Sequence, residues 1–410
     1  MTRSTAEPGS RSAAPTPHAV VGAERLPVVD ALRGLALLGI LLVNMTLYKS
    51  APSVAHLAAT SIEGPWDRAA AVLVKVLAEG KFIGLFSLLF GFGVATRIAR
   101  VRRRGGRWGR THLRRLAALG LIGAFHLVFV WFGDILTTYA LVGVVLLAFV
   151  NRAPRTQLMW ALGILGTLAT TAIVGLLLLV LREATGSSAL AGVERAAASA
   201  DAAEAGRLTR IYRSGGYLDL VAERASTPGG LLFGLTFSLV VLAMMLLGMY
   251  AARTGLFSDV DAHRTRLASI ARAGLGLGLP LNVLVVVVQS TGGFLTVLGG
   301  QILLMSLAAP LLTLGIAAGG TLIHERRPWS LLEAAGRLAL TNYLLQSVVF
   351  STVFYAYGLG LFDRVGAATG VCLSVALFAA QLLLSRWWLD RFGTGPVERL
   401  WRWMTNGGRP

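Results

Sequence analysis

The sequence predicts an all-α, polytopic membrane protein, a helical bundle of about ten transmembrane helices with both termini in the cytoplasm. Of its 410 residues, 55% are hydrophobic and 14% are charged, and the mean hydropathy is +0.67, which is more apolar than a water-soluble domain usually is. Apolar runs of about 17 to 25 residues recur from end to end, the length a helix needs to cross a bilayer core. The arginines crowd alternate loops.

The apolar runs divide the chain into two halves of five helices each. Because lipid leaves backbone groups no water to bind, helices are the expected elements, and the alternating pattern of a membrane barrel is absent. Residues 1–24, rich in Ser, Ala and Pro, are expected to form a disordered cytoplasmic tail. Residues 25–181 form the N-terminal half, 182–228 an outer segment, and 229–410 the C-terminal half with its cytoplasmic tail. The predicted spans are 30–48, 76–97, 115–133, 135–151, 157–181, 229–251, 269–289, 293–319, 334–357 and 367–389.

The net charge of +18 follows the predicted topology. Nine arginines lie between residues 97 and 115, and further arginines fall in the other loops on the same side. By the positive-inside rule this side is cytoplasmic, so we expect a multi-pass protein of the plasma (inner) membrane, with lipid and not nucleic acid as its surroundings. The basic stretch around residue 103 is either topogenic or a specific anion site. Whether the protein forms a homo-oligomer is open.

The outer segment 182–228 balances six arginines against six acids. Its apolar residues recur at helical spacing and predict an amphipathic helix on the outer surface, either a lid over a substrate site or a solvated connector. These residues are Leu208, Ile211, Tyr212, Leu218 and Val221.

Polar residues in the first span form a stripe. Asp30 and Arg33 are three residues apart, so they share a helix face and can pair. Asn44 lies three turns farther along, close to the same face. The alternative is that Asp30 caps the helix and Arg33 extends to the cytoplasmic headgroups.

His126, in FHLVFVWFGDIL (125–136), is the one histidine that falls inside a predicted span. A neutral imidazole can accept and donate a proton near pH 7, as a general base for an alcohol must; a structural hydrogen bond to another helix is the alternative. Asp134 follows Gly133 at a tight turn and is placed to cap the next helix. On a straight helix Asp134 would lie about 12 Å from His126 along the axis, so only a turn that folds back can join them.

Five segments, in order, resemble the signatures of the YeiB family, whose C-terminal half is a domain of unknown function numbered 418. These are RLPVVDALRGLALLGILLVN (25–44), GKFIGLFSLLFGFG (80–93), FHLVFVWFGDILTTYALVG (125–143), GRLALTNYLLQS (336–347) and GPVERLWRWMTNG (395–407). One departure is Asn406, where an aromatic residue is expected.

The resemblance implies a relation to membrane acyltransferases. Acyltransferase family 3 and the lysosomal heparan glucosaminide acetyltransferase share the first-helix Asp and Arg seen at Asp30 and Arg33, and both take an acyl group from cytoplasmic acyl-CoA. Family 3 carries a histidine where this chain has Asn44, so another histidine would have to act. His126 is the first candidate and His56, in the first outer loop, the second.

The expected function is therefore acyl transfer from acyl-CoA to a hydroxyl or amine, on a small-molecule or glycan acceptor, at the outer face. His126, Asp134, Asn44 and His56 are the candidate catalytic residues. Phosphates would bind Arg33, Arg102, Arg103, Arg104 and Arg114, since arginine forks suit phosphate. Substrate would contact Trp131, Asn342 and Gln346, the last two on a polar flank of the ninth span. No metal is expected, and GxSxG, HExxH and Walker patterns are absent.

Two other classes of function stay open. A transporter or flippase of a small molecule or lipid could use the same polar residues along its path, although no internal repeat is visible. A structural or sensor protein without turnover would give His126 only a packing role.

Overall fold

The computed structural model describes residues 25–54, 64–226 and 231–406, and in this part of the chain every regular element is a helix. The predicted tail 1–24 and His56 lie outside the described residues. The N-terminal half contains α1 Pro27–Lys49, α2 Pro65–Leu77, α3 Lys81–Arg103, α4 Gly109–Phe125 with a π-turn His126–Val130, α5 Leu136–Leu146 with a 3-10 turn Leu147–Phe149, and α6 Pro154–Ala184.

The outer segment and the C-terminal half contribute the remaining helices. They are α7 Ala191–Ser214, α8 Tyr217–Ser226, α9 Leu231–Thr254, α10 Val260–Thr291, α11 Phe294–Leu303 with a π-turn Leu304–Ala308, α12 Ala309–Arg326, α13 Ser330–Arg337, α14 Ala339–Phe354, α15 Ala367–Phe392 and α16 Pro396–Thr405.

Ten apolar helices or helix pairs coincide with the ten predicted spans. Within the described residues, eight are long and apolar enough to cross a membrane, and two shorter apolar helices, Leu136–Phe149 and Ala339–Phe354, fall on the fourth and ninth spans. Large apolar side chains such as Leu177, Leu181 and Leu284 are exposed on the outside of the bundle, where a membrane protein contacts lipid. The predicted all-α, multi-pass membrane bundle is confirmed.

Glycine lets the central helices touch backbone to backbone. A Cβ on Gly91 of α3 would clash with the Met245 carbonyl of α9, and one on Gly248 of α9 with the Leu88 carbonyl. The same relation holds between Gly336 of α13 and the Asp30 carbonyl of α1. In lipid the hydrophobic effect gives little gain between helices, so close packing at small residues stabilises the helix crossings instead.

Loops predicted to be cytoplasmic contact one another. Arg102 donates to the Asn151 side chain at 2.5 Å, and Arg253 donates to the Arg152 carbonyl. Arg264 bonds Glu325 at 2.7 Å. These contacts join loops that the charge pattern places on the same side, so the observed packing agrees with that pattern.

Segments predicted to be outer also meet. The Ala356 amide donates to the Tyr212 carbonyl at 3.2 Å, and the Asp363 amide to the Lys49 carbonyl at 2.7 Å. Asp67 accepts from the Ala368 amide at 2.7 Å.

The outer segment differs from the single predicted helix. It breaks at Gly215 into α7 and α8, which pair through Arg207 and Glu223, 2.7 Å apart. Tyr212 points inward and is buried, whereas Leu218 is exposed. The ninth span also differs: α13 ends at Arg337, and α14 begins at Ala339, with the amides of Leu340 and Thr341 in its first turn donating to Glu398.

Candidate functional site

His126 and Asp134 form a buried pair at the outer end of α4. Nδ1 of His126 lies 2.9 Å from Oδ1 of Asp134, and both side chains are 1% exposed. The other carboxylate oxygen, Oδ2, accepts from the Thr137 amide at 2.7 Å and so caps α5. Asp134 therefore orients the imidazole and caps the helix with separate oxygens.

The π-turn explains why the two residues meet. Residues 126–130 add a wider turn to α4, the chain then leaves the helix at Trp131, whose backbone is extended, and the turn at 132–135 folds Asp134 back toward His126. A straight helix would have kept them about 12 Å apart. π-Turns inside helices are frequent at functional sites.

His126, Asp134 and Trp131 form a cluster, the His126 cluster, in which two polar atoms have no hydrogen-bond partner among the described residues. They are Nε2 of His126 and Nε1 of Trp131, both buried, on rings whose centroids are 6.4 Å apart. An ionised carboxylate can only accept, so Nδ1–H of His126 donates to Asp134 and, in the neutral imidazole, Nε2 carries the lone pair. The pair thus offers an acceptor at Nε2 and, on the neighbouring Trp131 ring, a donor at Nε1.

A cavity of about 480 Å³ lies in the bundle on the predicted cytoplasmic side of this cluster. It is lined by residues of α1, α3, α4, α5, α13, α14 and α16. On α3 the lining extends from Phe86 to Arg97 and beyond, a length of about 16 Å at 1.5 Å per residue. The volume is within the range of small-molecule sites. Its middle is apolar, with Phe86, Phe90 and Leu119 among the lining residues.

The mouth of the cavity is strongly basic. The segments that converge there are the ones predicted to be cytoplasmic: the start of α1, the end of α3, the start of α4, the end of α13, and α16. They bring seven arginines and two acids to the lining, namely Arg25, Arg33, Arg97, Arg100, Arg115, Arg337 and Arg402 with Asp30 and Glu398.

The two acids do not neutralise this charge. Asp30 pairs with Arg25 and, at 3.1 Å, with Arg33, as the predicted pairing of Asp30 and Arg33 requires. Glu398 accepts from the amides of Leu340 and Thr341 at 2.8 and 3.1 Å. Among the described residues, no carboxylate is within 4 Å of the remaining mouth arginines, Arg97, Arg100, Arg115, Arg337 and Arg402.

Arg115 is held in place by the C-terminal helix. Its guanidinium stacks on the Trp401 ring at 3.5 Å from the centroid, and the indole nitrogen of Trp401 donates to the Arg115 carbonyl at 2.9 Å. Arginine on an aromatic face is pre-organised at little entropic cost. The mouth therefore presents fixed cationic groups with an indole beside them.

The deep end of the cavity reaches the His126 cluster at Tyr343. This ring lines the cavity and packs against the imidazole of His126, with centroids 5.2 Å apart. Its hydroxyl donates to the Gly133 carbonyl at 3.1 Å and accepts from the Ile135 amide at 3.4 Å. Tyr343 thus binds both neighbours of Asp134 in the chain.

The structure does not bring the other predicted phosphate ligands to this cavity. Arg102 and Arg103 line a separate cavity of about 550 Å³ with Arg253, and Arg104 and Arg114 are exposed. For Arg114 the reason is the direction in which its side chain leaves the helix. On α4 the cavity face carries His112, Arg115, Leu116 and Leu119, so Arg114 points about 100° away from Arg115.

Asn342 and Gln346 also lie outside the cavity lining. Asn342 donates to Ser385 at 2.9 Å, and Gln346 donates to Gln381 at 2.8 Å, which in turn donates to the Asn342 carbonyl at 3.0 Å. They join α14 to α15, as interhelical polar pairs do in membranes. The contacts of these two residues are therefore interhelical, and their predicted contact with substrate stays a prediction.

Asn44 is buried on α1, one turn beyond the cavity residue Ile40 and one turn before Tyr48. The Tyr48 ring stacks on Trp131, with centroids 4.1 Å apart. Asn44 therefore lies between the end of the cavity and the His126 cluster.

In the described part of the chain no group of His, Cys, Asp and Glu is arranged to hold a metal ion.

Comparison with known proteins places this site in a family. The model of a family described as "Protein of unknown function (DUF418)" matches residues 251–408. The chain is 34% identical over 400 residues to the uncharacterized protein YxaH of Bacillus subtilis (strain 168), covering 92% of this chain and 94% of the relative. It is 32% identical over 397 residues to the uncharacterized protein YeiB of Escherichia coli (strain K12), covering 93% and 96%.

The chain belongs to the YeiB family. The family predicted from the five motifs is thereby confirmed. No solved structure matches the chain.

Several residues of the site were not among the sequence candidates, and Tyr343, Arg115, Trp401 and Arg402 are the main examples. Each lies within or beside a YeiB-family motif or the basic run, but the sequence alone does not say which face of a helix points to the cavity.

Proposed function

We propose that this YeiB-family protein is a membrane acyltransferase that moves an acyl group from cytoplasmic acyl-CoA to a hydroxyl or amine acceptor at the outer face of the plasma (inner) membrane. The observation that carries the proposal is the buried pair of His126 and Asp134, in which Nε2 of His126 has no partner among the described residues. This pair lies next to Tyr343, at the end of the cavity opposite the arginine-rich mouth.

The cavity has the chemistry that acyl-CoA requires. Its phosphates would bind the mouth arginines that lack a carboxylate partner, especially Arg97, Arg100, Arg115 and Arg402, because guanidinium forks match phosphate oxygens. The adenine would stack near Trp401. The extended arm with its thioester would follow the apolar middle, past Phe86 and Phe90, toward Tyr343.

The proposed reaction is direct transfer. Nε2 of His126 takes the proton of the acceptor hydroxyl or amine while the acceptor atom attacks the thioester carbonyl, and Asp134 stabilises the imidazolium. Nε1–H of Trp131 and the amide of Asn44 would donate to the oxyanion that develops. The C–O or C–N bond is then complete, the C–S bond breaks, and the CoA thiolate takes the proton from His126.

The first experiment separates binding from turnover. Acetyl-CoA binding to the purified protein is measured by calorimetry, and turnover is followed as thiol release with water as the acceptor. We expect micromolar binding in wild type, weaker binding in Arg33→Ala, and unchanged binding but about a hundredfold slower thiol release in His126→Gln.

His263→Gln is the matched control, since His263 bonds only the Thr254 carbonyl at a loop in its described contacts, and it should behave as wild type. Failure of acetyl-CoA and of longer acyl-CoAs to bind would refute the proposal.

The second candidate is an inward-open carrier for a small anion. It is favoured by one observation: the cavity lining combines seven arginines with only two acids. Such a carrier would bind no acyl-CoA, and anion uptake into proteoliposomes, lost on replacement of Tyr343 by alanine, would identify it.

A further inference from the structure

Arg224 is a buried cation without a counter-ion. It lies on α8 of the outer segment and is 5% exposed. None of its three guanidinium nitrogens has a hydrogen-bond partner among the described residues. Burying a charge is costly unless it is paired, so an uncompensated arginine in this position calls for an explanation.

The neighbouring acids are already engaged. Five of the six acids of the outer segment have partners elsewhere, including Glu223, which is next to Arg224 in the chain. These are Glu194 with Arg182, Asp201 with Ser53, Glu204 and Glu223 with Arg207, and Asp219 with the Gly216 amide. The segment therefore does not supply a carboxylate to Arg224 from these residues.

Two tyrosine rings hold the guanidinium in place. Its central carbon lies 5.7 Å from the Tyr212 centroid and 5.4 Å from the Tyr355 centroid. Burial raises the pKa of the Tyr212 hydroxyl, and the nearby guanidinium of Arg224 opposes that shift. Ring faces orient a guanidinium but leave its in-plane donors without acceptors.

Arg224 stands on the outer side of the His126 cluster. Tyr217, at the start of α8, donates to the Phe129 carbonyl in the π-turn at 2.7 Å. The ring of Phe132 lies between the two regions, with its centroid 5.8 Å from that of Tyr212 and 5.5 Å from that of Trp131. The guanidinium therefore lies close to the side of the His126 cluster that faces the outer segment.

We propose that Arg224 binds an anionic group, a carboxylate or a phosphate, on the acceptor. The guanidinium fork offers two parallel donors to either oxyanion, and the outer helices α7 and α8 would close over the bound molecule. The assignment of the anion to the acceptor rests on the proposed acyl transfer, but anion binding at Arg224 can be tested without acyl-CoA.

The test uses thermal unfolding of the purified full chain with acetate and with inorganic phosphate as probes. Sodium chloride at equal ionic strength is the reference. We compare wild type with Arg224→Met, which keeps the length and apolar stem of the side chain. Arg213→Met, at an exposed arginine of the same segment, and Arg115→Met, in the basic cavity, are matched controls.

We expect a saturable rise in Tm with at least one anion in wild type. It should fall in Arg224→Met and, less strongly, in Arg224→Lys. The rise that remains in Arg224→Met comes from the basic cavity and should fall further when Arg115→Met is added, whereas Arg213→Met and His126→Gln should keep the full rise. Without anions, Arg224→Met should unfold at the same or a higher temperature than wild type, because an unpaired buried charge has been removed.

The inference is overturned if neither anion shifts the Tm of wild type, if Arg224→Met keeps the full shift of wild type, or if Arg224→Met lowers Tm without anions, which would make the arginine a structural anchor. Loss of acetyl-CoA binding refutes the acyltransferase proposal instead, so the two failures are distinguishable.

Discussion

The ring of Tyr343 lies against the imidazole of His126, with centroids 5.2 Å apart, while the Tyr343 hydroxyl binds the Gly133 carbonyl. The side chain of Tyr343 therefore lines the cavity at the end opposite its basic mouth and also supports the turn that carries Asp134. Tyr343 therefore lies between the cavity and His126, and we treat it as a positioning residue.

Tyr343→Phe should slow turnover without weakening acyl-CoA binding. The change keeps the ring but removes the bond to the Gly133 carbonyl, a loss of about 1 kcal/mol for a hydrogen bond. If that energy positions the catalytic pair, thiol release falls about fivefold. Calorimetry with acetyl-CoA and the thiol assay measure the two effects separately; an equal loss in binding would mean that the hydroxyl contacts the ligand itself.

Asp134→Asn should separate the two roles of Asp134. Asparagine still caps a helix well, so Tm should stay close to wild type, but a neutral amide cannot stabilise an imidazolium, and thiol release should fall about a hundredfold or more. Asp134→Ala should lose the cap as well, at a cost of about 0.5–2 kcal/mol. Equal activity in Asp134→Asn and wild type would show that the carboxylate serves only as a cap.

The sequence predicts the helices well because span length and charge placement report directly on the bilayer. It also identifies His126 and Asp134, since ionisable residues in an apolar run stand out. Their contact is not predictable in the same way: helical rise alone separates them by about 12 Å, and the π-turn that brings them to 2.9 Å has no strong local signal.

The arginines illustrate a second limit. The run from 97 to 115 is visible as a basic segment, but the rotation of α4 about its axis depends on its packing against neighbouring helices, and that rotation decides whether Arg114 or Arg115 lines the cavity. Asn342 and Gln346 show the same effect, because their partners Ser385 and Gln381 on α15 are about 40 residues away in the chain.

Arg115→Gln and Arg114→Gln form a matched pair that tests the cavity as the acyl-CoA site. Only Arg115 lines it and stacks on Trp401. Loss of one charged phosphate contact costs about 1.5–3 kcal/mol, so acetyl-CoA should bind at least tenfold more weakly to Arg115→Gln and normally to Arg114→Gln. The opposite result in calorimetry would move the phosphates out of this cavity.

Gly123→Ala should disturb the Asp134 turn from the opposite side. An added Cβ would lie 2.5 Å from the Thr137 nitrogen and 3.0 Å from Oδ2 of Asp134. Overpacking of this kind costs about 1–3 kcal/mol, so Tm and thiol release should both fall. Gly163→Ala, where a Cβ meets nothing within 4 Å, is the control and should leave both unchanged; equal behaviour of the two variants would contradict the tight packing of the turn.

Asn342→Ala and Gln346→Ala should affect stability and leave ligand binding alone. Both amides lie between α14 and α15 and bond Ser385 and Gln381. Interhelical hydrogen bonds in membrane proteins contribute about 0.6–2 kcal/mol, and truncation also leaves the partner on α15 unpaired, so Tm should fall in each variant. Acetyl-CoA affinity should stay within about twofold of wild type, since neither residue lines the cavity. If instead binding weakens while Tm is unchanged, these amides face a ligand after all, and the cavity must extend between α14 and α15 when it is occupied.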